Sequence, residues 1–273
     1  MNVRAELDTF IHRICSLRSV TLLVAWICML DITLGAFRDE AAALGVKDTF
    51  VVLPFVQTDM YFSKVILLGV LCFYSNAPFM EKGEMYAVLR TGRNRWGRRN
   101  IRYICFSSFF LSLCLAFLSS LTIAPAATWS NAWGTVYHTL SVTGSTIGAY
   151  ISGKTLTAFA PFELLAHIIA IDSLVFACIG MLLYVLGLYL PRIWGYLITI
   201  VIAFLPTMEW MPYDIQYISP CSWMYPSQWR YGQNIDYPSL TYIYTALFLL
   251  LLLLGWAGQA KISRAAWGNQ EET

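Results

Sequence analysis

The sequence predicts an all-α integral membrane protein with six transmembrane helices. Of its 273 residues, 58% are hydrophobic and only 12% are charged, and the mean hydropathy is +0.59. Soluble domains carry about 25% charged residues, so this composition suits a lipid environment. The hydrophobic residues also gather in long runs rather than in short alternating segments, which favours membrane-spanning helices.

Six runs approach the roughly 20 apolar residues that a helix needs to cross a bilayer. They are Ser19–Phe37, Tyr61–Phe79, Tyr103–Ala124, Pro161–Leu190, Ile193–Leu205 and Leu240–Gly258. The fourth run is long enough to tilt, and the fifth is short and is followed by Pro206. Asp31 interrupts the first run and no clear small-x-small cleavage site follows it, so we expect an uncleaved span rather than a signal peptide.

The distribution of Lys and Arg predicts the orientation of these spans. Thirteen of the 18 basic residues fall in the N-terminus, in residues 80–102, in the turn before the fifth span and in the C-terminal tail. The other connections hold five basic residues and seven acids. Both termini are therefore predicted to be cytoplasmic, and residues 125–160 and 206–238 are predicted to be external.

Residues 1–18 show the pattern of an amphipathic helix. Val3, Leu7, Phe10 and Ile14 fall on one helical stripe, with Arg4, Asp8 and Arg13 off it. This arrangement predicts a helix that lies on the inner membrane surface. The alternative is a plain linker to the first span.

Two short motif matches are interpreted as coincidences. Gly148–Thr155 (GAYISGKT) fits the phosphate-loop pattern GxxxxGK[ST], but no strand pattern precedes it and it falls in the predicted external segment. Glu40–Pro54 resembles the EAA signature of ABC importers with the wrong spacing, again on the external side. We therefore expect no ATPase or other catalytic site on this chain.

The external residues 206–238 are rich in proline, tryptophan and tyrosine. Prolines at this density prevent one long helix, and such aromatic residues concentrate at the membrane–water interface. We expect short re-entrant or interfacial helices that close the external mouth of the bundle. A passive aromatic belt is the alternative.

The connection between the second and third spans combines charge with a helical pattern. In Ala77–Asn100, the residues Tyr86, Leu89, Arg93 and Trp96 recur at helical spacing among several arginines. Trp, Tyr and Arg dominate the energetics of protein interfaces, so the pattern predicts a docking face. Attraction of basic residues to anionic lipid is the alternative.

With this segment, YAVLRTGRNRW, the chain resembles the membrane (permease) subunit of bacterial ABC exporters of the second type. Two further stretches resemble the same family more weakly: Asn131–Leu140 and Ile218–Trp223. The resemblance implies that residues 80–102 form a cytoplasmic coupling segment that docks into a separately encoded ATPase. The coupling residues it implies are Tyr86, Leu89, Arg90, Arg93 and Trp96.

The resemblance also implies partners and a location. Two permease subunits, identical or homologous, would join two ATPase subunits in the bacterial cytoplasmic membrane. ATP and Mg²⁺ would be bound by the ATPases, with no cofactor on this chain. The exported substrate would be hydrophobic or amphipathic, such as an antimicrobial peptide or a drug. Unlike some export permeases, this chain carries no large external domain.

Three ionisable residues within the spans are candidates for a substrate pathway: Asp31, His167 and Asp172. The two aspartates enter from opposite sides and lie roughly 18 Å and roughly 16 Å along their helices, at about 1.5 Å per residue. Because a charge in hydrocarbon is costly, we expect both to line one mid-membrane cavity. The alternative is that each forms hydrogen bonds within the bundle and never meets substrate.

The rival function is a stand-alone six-helix membrane protein such as a secondary transporter. Secondary transporters often contain internal repeats, and we find none between residues 1–124 and 125–273. Three scattered histidines and seven cysteines without a C-x-x-C pair predict no metal site. Lipid is an expected partner and nucleic acid is not.

Overall fold

The structure, a computed structural model, describes residues 16–79, 88, 92–143, 151–208, 213–232 and 237–264. Most of these residues are helical. The long helices are α1 (Leu17–Leu44), α4 (Arg93–Ile123), α7 (Pro161–Tyr189) and α10 (Leu240–Arg264). Two apolar helices of intermediate length are α3 (Met60–Phe73) and α8 (Arg192–Phe204). The short helices are α2 (Leu53–Val56), α5 (Thr135–Thr143), α6 (Gly153–Ala158) and α9 (Tyr213–Ile218).

The helical membrane architecture is confirmed at the level of four helices. α1, α4, α7 and α10 each contain a stretch long and apolar enough to cross a membrane. α3 and α8 have 14 and 13 residues, roughly 20 Å at about 1.5 Å per residue, which is less than the ~30 Å hydrocarbon core. α3 ends before the predicted Phe79 because Asn76 and Pro78 lie in a run of turns.

The helices run alternately between two ends of the bundle. At one end, the Arg18 guanidinium donates to Ser75 Oγ at 3.2 Å and Arg192 donates to Asn76 Oδ1 at 2.9 Å. Asn94 accepts from Gln259 Nε2 at the same end. We call this the basic end because basic residues are concentrated there. They lie at the start of α1, α4 and α8 and at the end of α10.

Helix α7 occupies the centre of the bundle, with 72% of its most apolar stretch buried. Gly180 lets neighbouring elements approach closely, since a Cβ at this position would lie 2.9 Å from Ile104 Cγ2 and 3.0 Å from the Tyr74 ring. Farther along, Ser112 Oγ of α4 donates to Ile169 O of α7 at 2.9 Å. Small and hydroxyl residues commonly mediate such contacts between membrane helices.

The opposite end, which we call the capped end, is covered by three segments. Their described residues are 45–59, then 124–143 and 151–160, and finally 205–208, 213–232 and 237–239. α1 reaches the capped end by continuing past the predicted Phe37 to Leu44, where Gly45 ends the helix with a φ of 63°. Two short strands, β1 (Asp48–Thr49) and β2 (Ala127–Thr128), then pair in parallel. Thr155 Oγ1 donates to Tyr231 Oη at 3.1 Å and so connects the second and third of these segments.

The buried carboxylate of Asp48 organises the start of α5. It accepts hydrogen bonds from the backbone amides of Gly134 at 2.8 Å and Val136 at 3.1 Å. The Tyr137 hydroxyl then donates back to the carbonyls of Thr49 and Val51. Burial is the main reason that the pKa of Tyr137 is raised well above its usual value, and the Asp48 charge adds to it. A residue 86 positions earlier in the chain thus caps the helix.

The described residues of 205–208, 213–232 and 237–239 form only short elements. They include 3₁₀ turns at Leu205–Thr207, Ser222–Met224 and Pro226–Gln228, together with α9. The indole N–H groups of Trp223 and Trp229 donate to the carbonyls of Tyr217 and Trp223, each at 2.8 Å. Both indoles are buried, so these hydrogen bonds form inside the protein rather than with water.

Four predicted segments fall partly outside the described residues. The parts outside are residues 1–15 of the predicted interfacial helix, residues 80–87 and 89–91 of the predicted coupling segment, and residues 144–150, 209–212 and 233–236 of the predicted external segments.

The Asp48 cap predicts that Gly134→Ala will destabilise the chain. A Cβ at residue 134 would lie 2.5 Å from both carboxylate oxygens of Asp48, so the carboxylate must move and lose its amide donors. Hydrogen bonds to charged groups contribute about 1.5–3 kcal/mol, and we expect the melting temperature to fall by at least about 4 °C. Gly153→Ala is the matched control, because a Cβ at residue 153 would lie 3.9 Å from its nearest neighbour, Ser141 Oγ. Equal melting of the two variants would contradict the cap.

Candidate functional site

The start of α4 forms an electropositive groove at the basic end. Gly92 precedes the helix with a φ of 83°, and the first two turns present exposed Arg93, Arg95 and Arg98 without an acid in the first turn. The groove measures about 410 Å³ and is lined by Gly92, Arg93, Asn94, Arg95, Arg98 and Ser263. Guanidinium groups and the positive end of a helix dipole together favour an anionic partner.

The end of α10 supplies the other wall of this groove. Gln259 Nε2 donates to both Asn94 O and Asn94 Oδ1 at 3.3 Å. Gly97 faces the same helix, and a Cβ there would meet Gln259 Oε1 at 2.7 Å and Ile262 Cδ1 at 2.8 Å. The two helices are therefore in close contact where the groove opens, which fixes the direction in which the arginine-bearing turns point.

The structure changes the role expected of Trp96. Its side chain is only 1% exposed, and its ring centroid lies 6.4 Å from that of Tyr184 on α7. The expectation that the ring presents itself to a partner is therefore wrong for this chain, because α7 already covers it. Helical spacing identifies a common face, but it does not reveal whether the chain's own core or a partner fills that face.

Of the other coupling residues, Arg93 is exposed in the groove. Tyr86, Leu89 and Arg90 lie outside the described residues, and their proposed contacts stay predictions.

Asp31 lies on the outer surface of the bundle. Its carboxylate is 2.6 Å from Arg38 Nη2, two turns farther along α1, and the two side chains are 62% and 32% exposed. The sequence identifies the carboxylate but not its partner, because the predicted first span ends at Phe37 and leaves Arg38 in the connection that follows. Continuation of α1 to Leu44 puts the arginine on the same helix.

Asp172 has the opposite environment. It is 0% exposed, and Gln57, equally buried, donates a short hydrogen bond from Nε2 to Asp172 Oδ2. The predicted shared cavity with Asp31 is therefore wrong, since one aspartate faces outward and the other is enclosed. Gln57 was missed, although it is a lone polar residue in the apolar run VVLPFVQ, which is the signal that could have identified it.

His167 belongs to an aromatic cluster beneath the capped end. Its Nδ1 lies 2.8 Å from the Tyr244 hydroxyl on α10, and its ring packs against Phe159 and Trp229 with centroids 5.5 and 6.5 Å away. Residues 167 and 172 are five apart, about 140° around a helix with 3.6 residues per turn. His167 and Asp172 therefore point in different directions and form no pair.

Comparison of the chain with protein-family models, with curated proteins and with solved structures finds no match. Within the described residues, no group of three or more His, Cys, Asp or Glu side chains is placed to hold a metal ion.

The burial of Trp96 predicts that it stabilises the chain itself. Truncation of a buried Trp to Ala costs about 3–5 kcal/mol, so Trp96→Ala should melt well below the parent even without any partner. Arg95→Ala, one residue earlier and exposed, should melt like the parent. Thermal unfolding of the purified chain in detergent checks both. A Trp96→Ala variant as stable as the parent would show that the ring is not part of the core.

Proposed function

We propose that this chain is the permease subunit of an ATP-driven export complex of the second ABC type, with ATP hydrolysed by a separate ATPase. The observation that carries the proposal is the arginine-lined groove at the start of α4, where the segment that resembles the family's coupling helix ends. Its positive charge suits an acidic face on an ATPase. The cargo is a hydrophobic or amphipathic molecule, such as an antimicrobial peptide or a drug.

The environment of the phosphate-loop-like stretch supports placing ATP hydrolysis on another chain. A phosphate loop presents its backbone amides and its Ser or Thr hydroxyl to a nucleotide and Mg²⁺. Here α6 starts at Gly153 and has only six residues. The Thr155 side chain is buried, and its hydroxyl donates to Tyr231. Its contacts belong to the capped end, far along the bundle from the arginine groove.

In the proposed complex, Trp96 and Arg93 have different tasks. Trp96 fixes the first turns of α4 against α7 through its buried contact with Tyr184, and is a positioning residue. Arg93 contacts the ATPase. A rigid helix end suits this task, because an ATP-driven movement passes through a small contact area and a loosely held end would absorb it.

The groove predicts a charge-dependent complex with the ATPase. Removal of an arginine that becomes desolvated in an interface costs about 2 kcal/mol or more, about a thirtyfold loss of affinity. We expect Arg93→Ala to weaken binding of the partner ABC ATPase by about that factor, as measured by titration in nanodiscs. Arg230→Ala is the control, since it removes the same charge from an exposed position at the capped end.

Equal losses from Arg93→Ala and Arg230→Ala would contradict the docking groove. Failure of the parent chain to bind the ATPase at all would favour the stand-alone secondary transporter. If Arg93→Ala changes only the binding of vesicles that contain anionic lipid, the groove recognises headgroups instead.

The exposed face of α1 supports a second permease subunit. Val24, Ile27, Cys28 and Asp31 are all exposed on this helix. An ionised side chain near the centre of a lipid-facing helix costs about 2.5–3.5 kcal/mol on insertion scales. Pairing with Arg38 reduces this cost, and contact with protein instead of lipid would reduce it further. We assign this face to a second copy of the chain.

An α1 interface between two copies predicts a cross-link through the native Cys28. Mild oxidation of membranes that contain the chain alone should give a covalent dimer on a non-reducing gel. Cys28→Ser should abolish the dimer, whereas Cys105→Ser, which removes another exposed cysteine from α4, should leave it intact. A dimer that persists in Cys28→Ser would place the interface elsewhere. Absence of any cross-link from a chain that is monomeric by mass would contradict the interface.

A further inference from the structure

The Asp172–Gln57 pair leaves two buried acceptor atoms without a hydrogen. Gln57 Nε2 donates to Asp172 Oδ2. The remaining oxygens, Asp172 Oδ1 and Gln57 Oε1, are both buried and have no hydrogen-bond partner. Buried polar atoms in folded proteins nearly always have partners. Two side chains that are already hydrogen-bonded to one another, each with a second oxygen that lacks a donor, therefore call for an added hydrogen.

The surroundings of Asp172 offer no positive charge among the described residues. Gln57 approaches from the turn between α2 and α3, and Tyr225 lies nearby in the segment after the Ser222–Met224 turn. The Tyr225 hydroxyl is hydrogen-bonded to Ser63 of α3, and burial raises the pKa of Tyr225 to about 12. Tyr225 is therefore neutral at physiological pH.

The other titratable groups on the elements packed against α7 have different partners or positions. His167 of α7 bonds to Tyr244 of α10. Asp59, before α3, accepts the amides of Tyr61 and Phe62. Cys221 is buried beside Tyr225. No ion pair joins Asp172 to Lys64 or to any other described cation. An ionised Asp172 would be a fully buried charge without a counter-ion, the least stable arrangement for a carboxyl group.

One added proton would give both unpartnered oxygens a hydrogen bond. It converts Asp172 Oδ1 from an acceptor into a donor, and Gln57 Oε1 is an acceptor in need of one. An amide and a carboxylic acid are complementary in this sense, since each contributes one donor and one acceptor. The reversed orientation of the amide would put Oε1 beside Oδ2, a contact that also requires a proton between the two oxygens.

We propose that the Asp172–Gln57 pair is a proton-binding site in the bundle core, where Asp172 is held as a neutral carboxylic acid hydrogen-bonded to the Gln57 amide. The site joins α7 to two segments of the capped end, those around Gln57 and Tyr225. Loss of the proton would leave a charge that must either recruit water or separate from these segments. The site does not depend on the ATPase partner proposed above.

Infrared spectroscopy of the full chain in lipid nanodiscs tests the site. We expect a carbonyl band of a protonated carboxyl group at neutral pH, sensitive to D₂O and absent from Asp172→Asn. Asp31→Asn is the matched control: this aspartate is exposed and paired with Arg38, so its removal should leave the band unchanged. Asp172→Asn, which keeps a neutral group of the same shape, should melt within about 3 °C of the parent.

A second variant keeps the test decisive if Asp172→Asn fails to fold. Gln57→Met removes the amide at similar volume and should shift the carboxyl band rather than abolish it. A parent spectrum without a protonated carboxyl band, or a band that does not change in Gln57→Met, would overturn the proposal. A second result would also overturn the proposal. If Na⁺, compared with choline, raised the melting temperature of the parent but not that of Asp172→Asn, the ligand would be a metal cation rather than a proton.

Discussion

The contact between α4 and α7 is the constraint on which the rest of the bundle depends. Gly180 allows Ile104 and Tyr74 to approach the α7 backbone, and Ser112 donates to Ile169 O. Lipid provides no hydrophobic drive that would hold two apolar helices together, so close van der Waals packing and hydrogen bonds between helices must do so. Tyr74 extends this contact to the end of α3, since its hydroxyl lies 2.8 Å from both Ser107 Oγ and Ser108 Oγ.

The long helices could be predicted because an apolar run is a local property of the chain, and α1, α4, α7 and α10 follow those runs. The environments of individual polar residues could not be predicted, since they depend on where each helix ends and, for Asp172, on a partner distant in sequence. Asp31 and Asp172 look alike in the sequence, yet one pairs with Arg38 at the surface and the other with Gln57, 115 positions away. The same reasoning explains Trp96, whose spacing predicted a face and whose burial depends on Tyr184.

The two ends of the bundle use their polar groups differently. At the capped end, buried groups such as Asp48 and Thr155 form hydrogen bonds with backbone amides or hydroxyls of other segments. These hydrogen bonds hold the segments of the capped end together. At the basic end, Arg93, Arg95 and Arg98 remain exposed around a groove. Exposed like charges repel one another and contribute little to folding. Their concentration on the first turns of one helix is the observation on which the proposed contact with an ATPase rests.

Helix α4 connects these two ends as a single rigid element. Its 31 residues span roughly 46 Å at about 1.5 Å per residue, from the arginine groove to the turn that precedes β2. In the proposed complex, a force applied at Arg93 would act on α7 through Trp96 and Tyr184 near one end, and through Ser112 and Ile169 farther along. α7 in turn carries Asp172, the residue that joins the core to the capped end. In the proposed complex, a displacement at the groove would therefore reach the capped end through the packed side chains of α4 and α7.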